Sequence, residues 1–104
     1  MLQHYVVLKY RDGTSAAHVD TFCERMLALR EAIPEIRHIE IGRDELHDAR
    51  SWDLVMSMAF ESVVALRAYQ THAAHTAVMA FNNPFVAQVA TVDYEGATAP
   101  EGEG

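Results

Sequence analysis

Two histidines, His72 and His75, stand three residues apart, a spacing that on a helix could let both side chains bind one metal ion. A metal centre needs further ligands, and no carboxylate or cysteine is spaced nearby to supply one. The sequence therefore predicts no metal site. The single cysteine, Cys23, could act as a nucleophile beside His4 or His75, but its place in an apolar helical stripe indicates an inert buried thiol.

The composition limits the classes of function. Half of the 104 residues are hydrophobic, which predicts one folded domain at 1–95, followed by a disordered acidic tail at 96–104. The net charge of -7 argues against binding to nucleic acid or to anionic lipid. No apolar run is long enough to span a membrane, and the N-terminus resembles a strand rather than a signal peptide. A lone cysteine suits the reducing cytoplasm, where we expect the protein to be.

The hydrophobic pattern predicts four strands and two helical regions. They are a strand at 3–10, a helix from a cap at Thr14 or Ser15 to Pro34, strands at 36–41 and 52–60, a helical region at 62–81 and a strand at 85–95. The apolar stripe expected on the first helix comprises Val19, Phe22, Cys23, Met26, Leu27 and Ile33.

The order β-α-β-β-α-β predicts an α+β, ferredoxin-like fold, a four-stranded antiparallel sheet with helices on one face. The other face of the sheet would then be uncovered. Because an exposed apolar sheet face is a natural contact surface, we expect a homodimer that forms through this open face.

Four stretches of the sequence are similar to a known family: HYVVLKYRDGT, IPEIRHIEIGRD, FESVVALRAYQTHAAH and VATVDYE. Together they resemble the Dabb family of stress-responsive, dimeric α/β-barrel proteins, over roughly residues 2–95. The resemblance implies ferredoxin-like protomers whose sheets pack into a dimeric barrel. Most members have no assigned chemistry, but a plant polyketide cyclase of this family needs no metal or organic cofactor, so we expect none here.

The resemblance also implies a pair of catalytic residues. The cyclase uses a tyrosine and a histidine from a Y-x-x-H-P-x-H segment, which match Tyr69 and His75. A neutral imidazole can remove a proton from a carbon between two carbonyls, and a phenol can donate to the enolate oxygen that develops. The result would be an aldol-type ring closure within a poly-β-keto chain.

Helix geometry sets a condition on this pair. Six residues of unbroken helix rotate by about 600°, which leaves Tyr69 and His75 about 120° apart around the axis. The helix must therefore break between them. The family segment has a proline for this purpose, whereas this chain has Ala73, so a bend or a new helix start must come from Thr71 and His72.

A pocket between the helices and the sheet is the second implication of the resemblance. The residues expected to bind a substrate there are His4, Val6, Leu8, Phe22, Cys23, Met26, Met56 and His72. Alternation in a half-buried strand predicts the same apolar pattern, so a filled core is the alternative. The remaining histidines, His18, His38 and His47, are expected at the surface.

Three hypotheses about function follow. The first is a Dabb-type protein that binds a small apolar or aromatic ligand. The second is a cofactor-independent, cyclase-like enzyme with His75 as general base and Tyr69 as donor. The third is a non-catalytic stress protein that acts as a stable dimer. A cofactorless monooxygenase of the same superfamily is disfavoured, because the motifs match the Dabb family. Whether the protein is an enzyme stays open at this point.

Overall fold

The computed structural model describes residues 1–96, and the rest of the expected tail, 97–104, lies outside the described residues. Its elements are β1 (Leu2–Tyr10), α1 (Ala16–Ala32), β2 (His38–Arg43), β3 (Leu54–Phe60), α2 (Val63–Thr71), α3 (Ala73–Asn82) and β4 (Val86–Glu95). A short 3-10 turn, Asn83–Phe85, connects α3 to β4.

The strands form one antiparallel sheet in the order β2-β3-β1-β4. Strand β1 is therefore central and pairs with β3 on one side and β4 on the other. This topology confirms the predicted ferredoxin-like fold.

One face of the sheet carries the hydrophobic core. In β1 every second side chain from Leu2 to Leu8 is buried, and β3 repeats the pattern from Leu54 to Phe60. His4 is the exception within this apolar row, since it is a titratable side chain with only 5% of its surface exposed.

The other face of the sheet has no cover in the protomer. Tyr5 and Tyr94, on β1 and β4, stack there with ring centroids 6.0 Å apart. Val55 and Val92 also stand on this face and are 37% and 60% exposed. The open face therefore carries exposed apolar side chains beside polar ones such as Gln3 and Ser57.

Helix α1 begins as predicted, because the Ser15 hydroxyl accepts from the His18 N–H. It ends at Ala32, just before Ile33 and Pro34. The predicted stripe was wrong at Leu27, which is 46% exposed, while Leu29 is buried in its place. Leu29 follows the buried Met26 by three residues and so shares its side of the helix.

Several strand boundaries differ from the prediction. Strand β1 begins one residue early, at Leu2, and β2 runs over His38–Arg43 rather than 36–41. Strand β3 begins at Leu54 rather than Trp52. The Tyr10 N–H, which would otherwise bond to the backbone of an extended β3, donates instead to the Asp53 carboxylate, at an N–O distance of 2.8 Å. Strand β4 begins at Val86, one residue late, because Phe85 closes the 3-10 turn. No helix within residues 1–96 combines the length and apolarity required to cross a membrane.

Candidate active site

The helix between Tyr69 and His75 breaks at a single residue. Helix α2 ends at Thr71, α3 begins at Ala73, and His72 between them has extended backbone angles of φ -64° and ψ 137°. The break that the spacing requires is therefore present, although Ala73 stands where the family segment has proline.

The break brings the two predicted catalytic side chains together. The ring centroids of Tyr69 and His75 are 4.3 Å apart and their planes are inclined by 45°. The ring of Phe60, at the end of β3, also packs against the Tyr69 ring, with a centroid distance of 5.1 Å. Tyr69 is thus fixed between the sheet and the imidazole.

The hydrogen bond of His75 identifies its free nitrogen. Nδ1 lies 3.1 Å from the Gln70 carbonyl oxygen. A carbonyl can only accept, so Nδ1 carries the proton and Nε2 keeps the lone pair of the neutral ring. Burial lowers the pKa of His75 below its usual 6.5, and the nearby charge of His4 acts in the same direction, against the Gln70 bond. His75 is therefore an unprotonated base at neutral pH.

The Tyr69 hydroxyl is protonated and has no hydrogen-bond partner among residues 1–96. Burial raises its pKa above the usual 10.0, and the side chain is 3% exposed. Every fully enclosed side-chain nitrogen or oxygen in the described part of the chain has a partner. The Tyr69 hydroxyl is therefore not fully enclosed, and no polar group among residues 1–96 competes for it.

Two further polar residues, His4 on β1 and Asp93 on β4, lie near Tyr69 and His75. Asp93 lies directly opposite His4 in the β1–β4 pairing, and its carboxylate accepts a hydrogen bond from His4 Nδ1. The His4 ring also meets the edge of Phe60 at 6.2 Å. The sequence analysis missed Asp93, and the only signal for it was its place in VATVDYE on the strand that follows the helices.

Tyr69 and His75 together form a candidate site for acid–base chemistry. His75 offers a base at Nε2 and Tyr69 offers a donor, while His4, bonded to Asp93, packs against Phe60, which also contacts Tyr69. A base and a donor with pKa values displaced in opposite directions are typical of general acid–base sites. No group of three or more potential metal ligands is found in residues 1–96.

Most of the apolar residues expected to line a pocket belong to the buried core. They are Val6, Leu8, Phe22, Met26 and Met56. Phe22 and Met26 have no exposed surface. Their contact with a ligand stays a prediction.

Besides His4, two expected binding residues, Cys23 and His72, lie in different surroundings. Cys23 is half-buried and borders a groove of about 350 Å³, together with Ile41 and Arg43, and no histidine borders that groove. His72 caps helix α3, because its Nδ1 accepts from the Ala74 N–H at 3.0 Å.

His18 is not at the surface, contrary to expectation. It is half-buried between Phe81 and Phe85, with ring centroids 4.5 and 4.1 Å away, and its Nε2 lies 2.9 Å from the Asn82 amide oxygen. Asn82 is 2% exposed. Its partner is 64 residues away in sequence, so no local pattern could have predicted the contact.

The chain is similar in sequence and in fold to several known proteins. Olivetolic acid cyclase from Cannabis sativa is 26% identical over 76 residues, which cover 71% of this chain and 75% of that protein. A dimeric ferredoxin-like protein of unknown function from Thermobifida fusca YX is 25% identical, with a TM-score of 0.81 over 89% of this chain and 88% of that one.

A dimeric protein of unknown function with a ferredoxin-like fold, from Bacteroides fragilis NCTC 9343, is 27% identical. Its TM-score is 0.82, and the match covers 91% of this chain and 95% of that one. The family model of the stress responsive A/B barrel domain matches residues 2–96. The chain therefore belongs to the Dabb family.

Proposed function

We propose that this protein is a cofactor-independent acid–base enzyme that closes a ring within a poly-β-keto compound. The observation that carries the proposal is the 4.3 Å distance between the ring centroids of Tyr69 and His75, with the hydroxyl and Nε2 both left unpaired within the described residues. A base and a donor so close together can act on one substrate.

The proposed reaction asks of the protein only a base and a hydrogen-bond donor. His75 Nε2 removes a proton from a CH₂ group between two carbonyls, while the Tyr69 hydroxyl donates to the enolate oxygen. The carbanion attacks a ketone carbon further along the chain and forms the new C–C bond. The resulting alkoxide then recovers the proton from His75, so the enzyme returns to its starting state. Loss of water from the cyclic alcohol, followed by enolisation of the remaining ketones, gives the aromatic product.

Two further observations support this reaction. Olivetolic acid cyclase, a named ring-closing enzyme, is 26% identical to this chain. The pKa of His75 is lowered and that of Tyr69 is raised, so each side chain is in the protonation state that the reaction needs at neutral pH.

The experiment is a ring-closure assay with a short synthetic poly-β-keto acid, followed by the ultraviolet absorption of the aromatic product. We expect the protein to accelerate closure and His75→Gln to lose about 10²- to 10⁴-fold of that rate, the usual contribution of a general base. His47→Gln is the matched control, since His47 is 75% exposed and lies outside the site. Equal rates for wild type and His75→Gln would refute the proposal.

Ligand binding without turnover is the second candidate function. It is favoured by the rings of Tyr69 and His75, which could contact a flat apolar molecule, while the fully buried Phe60 packs against Tyr69. Calorimetric titration with the aromatic product of the assay tests it. Binding that is weakened by Tyr69→Ala, without any acceleration of ring closure, would favour this function over catalysis.

A homodimer through the open sheet face is the proposed assembly. The exposed Val55, Val92 and Tyr94 on that face support it, as does the dimeric state of the two bacterial relatives. Light scattering should give the mass of two chains for the wild type and of one chain for Tyr94→Glu. Val64→Glu, at a side chain on α2 that is 80% exposed, is the control and should stay dimeric. If Tyr94→Glu stays dimeric, another surface forms the contact.

A further inference from the structure

The break between α2 and α3 exchanges two hydrogen bonds. In an unbroken helix the Gln70 carbonyl would accept from the N–H of Ala74, four residues later. Here the Ala74 N–H donates to His72 Nδ1 at 3.0 Å. The Gln70 carbonyl is therefore free, and His75 Nδ1 takes it at 3.1 Å. By accepting from the Ala74 N–H, His72 leaves the Gln70 carbonyl free for the hydrogen bond that orients His75, the proposed base.

The residues around the break would otherwise continue the helix. Ala73 and Ala74 have the highest helix propensity of any residue type, and the stretch 61–82 contains neither proline nor glycine. The Thr71 hydroxyl donates back to the Arg67 carbonyl at 3.0 Å, a bond that a helix interior accommodates. His72 is the residue with extended angles and a side-chain bond to the new helix, so it is the residue that holds the break.

We propose that His72 is a positioning residue: its neutral ring caps α3, frees the Gln70 carbonyl and thereby turns His75 toward Tyr69. This role replaces the substrate contact that the family resemblance implies for His72. It rests on the proposed function only where His75 is called a base. The hydrogen bonds require opposite tautomers, with the proton on Nε2 of His72 and on Nδ1 of His75.

The test is ¹⁵N NMR of the histidine rings at a pH where both are neutral, together with the Tyr69–His75 ring NOE. Wild type should show the two opposite tautomers and the NOE. His72→Asn should keep the Nδ1–H form of His75 and the NOE, because asparagine is a favoured N-cap. His72→Gln, which carries the same amide on a longer chain, should lose both.

A second substitution checks the cause of that loss. Proline is favoured at the first position of a helix and forces extended angles on the residue before it. Ala73→Pro in the His72→Gln background should therefore restore the Nδ1–H tautomer of His75 and the NOE. Retention of both in His72→Gln alone would overturn the proposal. So would a wild-type His72 that carries its proton on Nδ1, a result that needs no variant to fold.

The ring-closure assay separates this inference from the proposed function. If His72→Gln loses the tautomer and the NOE but keeps the wild-type rate, the cap is confirmed and His75 is not the base. If the tautomers and NOE behave as expected but wild type closes no ring, the positioning role stands and the proposed function fails.

Discussion

Two tyrosine–histidine pairs lie near opposite ends of β1, and they use their polar atoms in opposite ways. At the Tyr10 end, the ring of Tyr10 meets His18 edge to face at 5.7 Å. Its hydroxyl and His18 Nε2 both reach the Asn82 amide oxygen, at 2.8 and 2.9 Å. One buried acceptor therefore joins β1, α1 and α3, and the pair is used for structure.

The other pair has no such shared acceptor. Tyr69 and His75 are closer together, at 4.3 Å, but among residues 1–96 nothing bonds the tyrosine hydroxyl or His75 Nε2. The same two residue types thus form a structural link where an amide bonds both of them, and a candidate reaction site where no group among residues 1–96 bonds the hydroxyl or Nε2. Satisfied polar groups stabilise the fold, whereas unsatisfied ones are available to a ligand.

The largest expected difference between the two pairs is the effect of removing the tyrosine hydroxyl on the rate of ring closure. Tyr69→Phe should lower kcat by about 10²- to 10³-fold, the usual effect of losing one donor to a developing oxyanion. Tyr10→Phe should leave kcat unchanged, because its hydroxyl donates to Asn82. Steady-state kinetics of both variants makes the comparison, and equal losses would show that the pairs do not differ in role.

Removing the shared acceptor should weaken only the Tyr10 pair. Asn82→Ala leaves two donors without their acceptor, and we expect the free energy of unfolding to fall by about 2–3 kcal/mol. Urea denaturation measures this change. Asn83→Ala, at an exposed neighbour in the 3-10 turn, is the control and should change the free energy of unfolding little. A similar loss in both variants would mean that the 3-10 turn, not the amide, matters.

The two phenylalanine variants should also differ in stability, by a smaller amount. Tyr10→Phe removes a hydrogen bond and should cost about 1 kcal/mol in the free energy of unfolding. Tyr69→Phe removes a hydroxyl without a partner among the described residues, so we expect no loss. Chemical denaturation of both proteins gives the difference. A clear loss in Tyr69→Phe would reveal a structural bond to that hydroxyl.

The pH dependence of ring closure should report the state of His75. The base acts when unprotonated, and burial lowers its pKa below 6.5, so kcat/KM should fall only as the pH drops through a value below 6.5. Tyr69 should stay protonated to beyond pH 10, because burial raises its pKa. A half-maximal rate above pH 7 in the measured profile would contradict the assignment.

Much of this arrangement could be predicted from the sequence where the signal is local. Ser15 and Ser62 cap the helices that follow them, and the alternation from Leu54 to Phe60 shows which side of β3 is buried. The spacing of Tyr69 and His75 also predicted that the helix must break if the two are to meet. The family resemblance chose that pair, and helix geometry gave the condition.

Two of the features that the sequence analysis missed depend on contacts between residues far apart in the sequence. Asp93 could not be assigned to the helix-covered face, because VATVDYE has no clear alternation and only the register with His4 decides the matter. The link between His18 and Asn82 depends on how α1 meets α3, which no short motif encodes. The cap by His72 was missed because histidine is rarely expected at that position.

Strand β1 has a neighbour on both sides, whereas the turn at His72 belongs to two short helices. Backbone amides in a central strand exchange with solvent only through large openings, while helix ends fray often. His4 therefore stands on the part of the molecule that opens last, and His75 on a part that opens early. Fraying of the first turn of α3 would break the Ala74–His72 and His75–Gln70 hydrogen bonds, so the orientation of the proposed base would be lost while the sheet, with the His4–Asp93 pair, keeps its shape.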